Sequence, residues 1–454
     1  MSTVTTQPPF HTSKRQSCFV ASSFFARLSI LQLFLFFLAE NAHAGFAGQL
    51  SMSLREEFND NIYFEKNKES DFVTSIIPTF TLLYSPPGQN TPVFTASVAP
   101  EGQIYARHPE ETNFGDNISL NAGYTYYHSP RLTIHLSDSL LRIGNTRIGE
   151  LGGIAGPPPP TSLPPPGKAV GQPSSQRLGG LISNGEQVSN LFSLRGAYTI
   201  DQYLSVVGDS GVGVTRYMDI GGSDVSYTVG ARGVYKWREQ HNLHLGYAIE
   251  IIKSRDGNNN VVHNIDFGDD YFSNFVINLT PTLTITGQSG IALTTGDNGS
   301  SNANGSKNSN GLKVTNRTNI TVTKLWERAT LNVGFSKGMT PSLGVAGISD
   351  TTSFAANLSA RLTEPLTVTT NIDYSLFDTE DGKFSALTGS AGLQYRINRW
   401  LSSSVQYRYR LQDAGSGVAS TGVLARGNLS SNSIALVFSA HFDLWPNLGL
   451  GQQP

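Results

Sequence analysis

Cysteine is all but missing: the chain of 454 residues has one, Cys18. It falls in a segment that reads as an export signal, so the mature chain is expected to carry no thiol. That excludes a disulfide-stapled scaffold, a thiolate zinc site and a cysteine nucleophile. Charge is thin as well, with 15% Asp, Glu, Lys and Arg and a net charge of −2, which gives no ground for nucleic-acid binding. Beyond Ala44 no apolar run approaches the roughly 20 residues that a membrane helix needs. The histidines show no His-Glu-x-x-His spacing, so neither a metal nor another cofactor is expected.

The N-terminus does contain one apolar run, Leu28 to Ala39, preceded by Lys14, Arg15 and Arg27 and followed by the small-residue site Ala42-His43-Ala44. Residues 1–44 therefore read as a signal peptide cut after Ala44, too short to span a bilayer comfortably. Residues 45–454 are left as one unit. An exported chain without a spanning helix, poor in helix formers and rich in Gly, Ser, Thr and Asn, leaves two classes: a large secreted β protein or an outer-membrane barrel.

Period two decides between them. In Ile118 to Tyr126 the even positions are apolar or aromatic and the odd ones small or polar, and the pattern recurs in Phe192–Ile200, Leu243–Ile251, Phe354–Leu362, Leu387–Ile397, Val405–Leu411 and Ile434–Phe442. Segments of about ten residues are what a tilted strand needs to cross a bilayer. About eighteen such strands can be counted, the tenth beginning near Asn274 and the last near Ile434. Connections alternate between tight turns (Ser85 to Gly88, Ser129 to Arg131, Asp201-Gln202, Arg238 to His241, Thr280 to Thr282, Trp326 to Arg328, Thr363 to Pro365, Asn398 to Trp400) and longer polar links, among them 59–71, 144–188 and 378–383. The expected fold is all-β: one antiparallel up-and-down barrel with short periplasmic turns and longer outer loops. Its place is the bacterial outer membrane, among lipids and lipopolysaccharide.

Aromatics gather where strands meet turns: Tyr126, Tyr198, Tyr203, Tyr235, Trp237, Trp326, Tyr395, Trp400 and Trp445. They suit an interfacial girdle. The terminal strand Ile434 to Phe442 has the apolar alternation that barrel-insertion machinery recognises, although Asp443 to Pro454 follow it.

If the apolar parity faces lipid, the other parity lines a polar lumen. Its expected charges are Arg195, Arg232, Lys236, Arg317, Arg361, Arg396, Arg408 and Arg410, against Asp209, Glu250 and Asp373. Arg396, Arg408 and Arg410, on strands that share a turn, are expected to form one positive patch that favours anions. The alternative is that the bases pair with the acids and simply hold the barrel's shape. The proline-rich link 144–188 is either a constriction folded into the pore or a mobile outer loop. The acidic stretch Glu56, Glu57, Asp60, Glu65, Glu69 and Asp71 reads as a solvated loop. Gly208-Asp-Ser-Gly211 has the look of a nucleophile motif, but Ser210 carries the lipid-facing parity.

Three short stretches carry a resemblance: Arg55-Glu-Glu-Phe-Asn-Asp-Asn-Ile62, the turn Leu279-Thr-Pro-Thr-Leu283 echoed at Leu362-Thr-Glu-Pro-Leu366, and Phe335-Ser-Lys-Gly-Met-Thr-Pro-Ser-Leu343. On these the chain resembles the β-barrel porin family, second type, whose members accompany exopolysaccharide gene clusters. The resemblance implies a barrel that passes solute or polymer, polysaccharide-export components as partners, and no catalytic residues. The classes to be separated are a channel, a barrel-type surface enzyme and a structural or adhesive barrel.

Overall fold

The computed structural model describes residues 45–86, 93–144, 186–218, 221–238, 241–253, 259–269, 274–280, 282–296, 313–341, 348–379, 382–414 and 427–445. The expected signal peptide lies outside them, as does nearly all of the link 144–188.

The strands are β1 (Phe46–Asn59), β2 (Asp71–Tyr84), β3 (Phe94–Tyr105), β4 (Asn113–Ser129), β5 (Leu132–Ile143), β6 (Gln187–Thr199), β7 (Leu204–Tyr217), β8 (Ser223–Arg238), β9 (His241–Lys253), β10 (Asn259–Asp269), β11 (Asn274–Thr280), β12 (Leu283–Gly296), β13 (Lys313–Leu325), β14 (Ala329–Pro341), β15 (Ile348–Arg361), β16 (Leu366–Thr379), β17 (Gly382–Arg396), β18 (Leu401–Ala414) and β19 (Gly427–Trp445). All belong to one 19-stranded sheet. Apart from β10 and β11, each strand pairs antiparallel with its sequence neighbours, and β1 pairs with β19, from Gly48 opposite Trp445 to Asn59 opposite Ser433. The sheet is thereby closed.

β10 and β11 share β12 as a partner. Asn260 to Ile265 take its loop-side half, and Asn274 to Thr280 its turn-side half. They are two pieces of one stave, which makes an eighteen-stave barrel. Period two predicts the same count but marks only the second piece as a strand. One connection also differs from expectation. Thr379 faces Gly382, so the supposed long link near 378–383 is a hairpin connection. The expected tight turn at Ser85 to Gly88 lies partly outside the described residues; at its two ends the Ser85 N–H reaches the Gly45 carbonyl and the Val93 N–H the Tyr84 carbonyl. Between β2 and β3 the ladder steps from Ile76 opposite Gly102 to Phe80 opposite Val98. Pro78 and Pro100 lie in that gap, each without an N–H to donate.

The hydrophobic side of the wall points outward. Leu54, Phe72, Leu194, Val229, Leu245, Phe354, Ile372, Leu393, Val405, Ile434 and Leu436 are all exposed, around the whole circumference. Water would not tolerate so continuous an apolar surface. A bilayer does, because a closed ladder leaves no backbone edge unpaired in lipid. The protein is an integral outer-membrane barrel, with its short turns on the periplasmic side.

Candidate functional site

Residues that face each other across a ladder share a side of the wall, so register assigns every lumen charge. Arg195 lies opposite Asp209. Arg232 faces Val207, and Lys236 faces Asn242. Glu250 lies between Thr228 and Val262, and Arg317 is close enough to act on it electrostatically. Arg361 faces Thr367, and Asp373 lies between Ala355 and Thr388. All eleven predicted charges stand on the side opposite the exposed apolar residues. Ser210, between Leu194 and Val229, stands on the lipid side.

The single arginine patch does not form. Arg396 is opposite Ser402 at the turn end and pairs with Glu364 at 3.5 Å on the exposed rim. Arg408 is six residues farther along β18 than Ser402, about 20 Å at 3.3 Å per residue. Arg410 instead shares a row with Asp373, the two flanking Thr388. The wall alternates bases with acids more evenly than the sequence suggested, and it holds acids that the sequence reading left out.

Chief among those are Glu57, Asp71 and Glu101, which are buried. The acidic stretch is therefore no solvated loop as a whole. Arg55 and Glu57, two residues apart on one face of β1, form a buried ion pair. Beside them, Gln103 donates to Glu101 at 2.9 Å, and the Tyr105 hydroxyl donates to Gln103 at 3.1 Å. On the adjoining wall, Arg410, Gln412, Ser431 and Ser433 are buried as well. Ser431 Oγ donates to Asn59 Oδ1 at 3.0 Å.

This buried polar wall sits under the first outer link, residues 60–70, called L1 here. L1 bends inward. Ile62 packs on the lumen-facing Val73 and Tyr105, and Phe64 packs on Leu429. Phe64 takes φ 50°, a left-handed conformation unfavourable for a bulky residue. Asn61 supports it: its side chain donates to the Glu65 carbonyl at 2.8 Å and to the Ser430 carbonyl at 3.0 Å, and it accepts from the Glu65 N–H at 3.0 Å. Asp60 fastens the loop's root to β19, accepting from Asn432 N at 2.6 Å and from its side chain at 2.9 Å, while Lys68 donates from the far arm at 3.1 Å. Burial pushes the Asp60 carboxyl up, but these donors outweigh it and hold its pKa below 3.8. The anchor is complete above that value and is lost as pH falls through the lowered one.

L1 meets the next outer link, residues 106–112 (L2), at His108. Its Nδ1 lies 2.9 Å from Asp71 Oδ2 and its Nε2 3.1 Å from Glu69 Oε2. Asp71 also accepts the backbone N–H groups of Arg107 and His108. Tyr63 stands edge-on to the imidazole at 5.7 Å and donates to Glu111. Burial and the surrounding carboxylates push the Tyr63 phenol up to about 12.

A second arrangement lies toward the turn end of the lumen. Ser51 Oγ is 2.9 Å from His441 Nδ1, and His441 Nε2 is 3.5 Å from Asp443. Scattered positions gave no sign of this convergence. A nucleophile also needs donors aimed at a developing oxyanion, and here the backbone N–H groups of both strands face ladder partners. The trio ties β1 to β19.

The described girdle residues Tyr126, Tyr198, Tyr203, Tyr235, Trp237, Trp326, Tyr395 and Trp400 are all exposed at the turn end, and Trp400 stacks on Phe442 at 6.1 Å. A loop-end set was missed: Phe72, Phe114 and Tyr227 are exposed on the outer face.

No family model and no curated protein matches the chain. Among solved structures it is similar to OccK2 (OpdF) of Pseudomonas aeruginosa, with 10% identity, a TM-score of 0.44, and coverage of 88% of this chain and 98% of that one. It is also similar to the outer membrane protein OpdK of the same organism, with 10% identity, a TM-score of 0.42, and coverage of 87% and 99%. An anion-selective porin from Comamonas acidovorans matches at 12% identity with a TM-score of 0.38, covering 88% and 100%.

Proposed function

We propose that this barrel is a passive channel for small polar solutes across the outer membrane. One observation carries the reading: around a closed wall, the parity that faces inward is hydroxyl, amide and charge, while the parity that faces outward is apolar. A barrel built only as a scaffold would fill its interior with bulkier side chains, whereas Ser, Thr, Gly, Asn and Gln dominate this one. L1 and the buried polar wall beneath it narrow the mouth on the β18, β19, β1, β2 and β3 side. The passing solute therefore meets Arg408 and passes beside the buried wall that holds Arg410, Gln412 and the Arg55–Glu57 pair before the wider part of the lumen.

Arg408 and Arg410 give that passage a preference for anions, moderated by Asp373, Glu57 and Glu101. The test is the reversal potential of the purified protein in planar bilayers under a salt gradient. Native barrels are expected to conduct with mild anion preference, and Arg408→Glu with Arg410→Glu to turn the sign toward cations. Native cation selectivity would set the arginine role aside, and no conductance at all would overturn the channel.

Export of a polysaccharide, which the family resemblance implies, asks more of the mouth, since a sugar chain passes only if L1 leaves the lumen side of β2 and β19. A deletion strain that keeps its capsule and matrix would eliminate that reading.

A further inference from the structure

L1 folds over the inner wall, and its far arm meets two side chains of L2: Arg107, which donates to Ser70, and His108, which faces Glu69. His108 receives a carboxylate at each ring nitrogen: buried Asp71 at 2.9 Å from Nδ1 and exposed Glu69 at 3.1 Å from Nε2. A neutral imidazole has one N–H donor and one lone-pair acceptor. Facing two carboxylates, it satisfies one and repels the other. An imidazolium donates to both. The geometry thus suits the charged ring, and the two contacts close the base of L1 against L2 only while that charge is present.

We propose that His108 is a proton-operated clasp that pins L1 over the channel mouth, closed at acidic to neutral pH and released as the medium turns alkaline.

The groups around the ring agree with this. Asp71 and Glu69 from the L1 side, and Glu110 from L2, all favour the cation; Glu111 lies behind Tyr63, whose uncharged ring packs edge-on. The neighbouring cations are occupied elsewhere, Lys68 on Asp60 and the Arg107 guanidinium on Ser70. The hydrogen bond to Asp71, foremost, raises the His108 pKa above 6.5 against a smaller opposing effect of burial. A raised folded value means that the clasp contributes fully below the unfolded value and is lost as pH rises through the raised one. Asp60 works in the opposite sense at the other arm of the loop, where its anchor fails only in acid. L1 is therefore held at both arms in a window bounded below by the lowered value of Asp60 and above by the raised value of His108. When the clasp releases, Asp71 keeps its backbone donors, so the root of L2 stays in place. What the far arm of L1 loses is the side-chain contact of Glu69, while the Arg107–Ser70 bond and the Ile62 N–H to Glu69 carbonyl bond remain.

The gating part of the proposal rests on the channel reading; the clasp itself does not. Two measurements separate them. In planar bilayers between pH 5.5 and 9, native conductance is expected to step upward with a midpoint above 6.5. His108→Gln should lie at the upper level throughout, and Glu69→Gln should move the midpoint downward. In parallel, amide hydrogen exchange over residues 61–70, compared at matched pH in detergent, should be faster in His108→Gln than in the native protein at pH 6 and equal at pH 9. A His108→Gln barrel that keeps the native step, or whose L1 exchanges like the native loop at pH 6, overturns the clasp. A barrel that never conducts but shows the exchange difference removes the channel and supports the clasp.

Discussion

Replacing Glu57 by alanine is expected to lower the stability of the barrel by about 3–5 kcal/mol, the usual result of removing one member of a buried ion pair. The reason lies in what remains. Glu57 is fully buried and Arg55 nearly so, and their cross-strand neighbours are Val73 and Ser75 on β2 and Ala435 and Val437 on β19. Losing the carboxylate removes the ion-pair partner of a guanidinium held away from bulk water, on a wall it shares with buried Glu101 and Gln103. Urea titration of the protein refolded into lipid vesicles measures the change. The double variant Arg55→Met with Glu57→Met should recover most of the loss, because the cost comes from keeping a buried charge after its ion-pair partner is gone. If the double variant is as unstable as Glu57→Ala, the pair is held for another reason and the account of the wall at the mouth is wrong.

The second large effect tests which side of the sheet meets lipid. Ile372 lies in the middle of β16 on the exposed outer face, flanked by Ala356 and Gly389. Its neighbour Asn371 faces inward and donates to Asp373 at 2.7 Å. Ile372→Arg is expected to cost about 2–4 kcal/mol, as arginine does near the bilayer midplane of such barrels. Asn371→Arg, one residue away, should fall within about 0.5 kcal/mol of the native protein, since it enters a wet polar lumen beside a carboxylate. The same vesicle titration reads both. Equal effects at the two positions would contradict the register assigned to the wall.

Period two made most of the barrel legible in the sequence. A strand alternates sides whatever its tertiary neighbours, so Phe192 to Ile200 or Val405 to Leu411 declared both strand and orientation before any partner was known. β10 escaped because Val261 and Val262 are adjacent, and because the outward face there carries His263, whose Nδ1 meets the Tyr247 hydroxyl at 2.6 Å. Polarity on the lipid side blurs the alternation on which the reading depends. L1 escaped for the opposite reason. Its composition is that of a solvated link, and nothing local marks Ile62 and Phe64 as buried, since their partners Tyr105 and Leu429 lie far along the chain. The arginine patch failed on distance along a strand. Sharing a turn makes strands adjacent, but it places residues near each other only at equal distances from that turn.

The pairing of β1 with β19 has a kinetic consequence. Every other described junction in the wall joins strands adjacent in sequence or, for β10 and β12, separated only by β11, so hairpins can accumulate with small losses of chain entropy. The last junction must bring together residues such as Ser53 and Ser439, whose hydroxyls meet at 3.0 Å across 386 positions. Until it forms, two strand edges are open to any other extended chain. The Asp60–Asn432 bonds and the packing of Phe64 on Leu429 join the two sides of that junction. The inward loop thus serves the assembly of the barrel as well as its mouth: it fastens the one seam that cannot close until β19 has joined the wall.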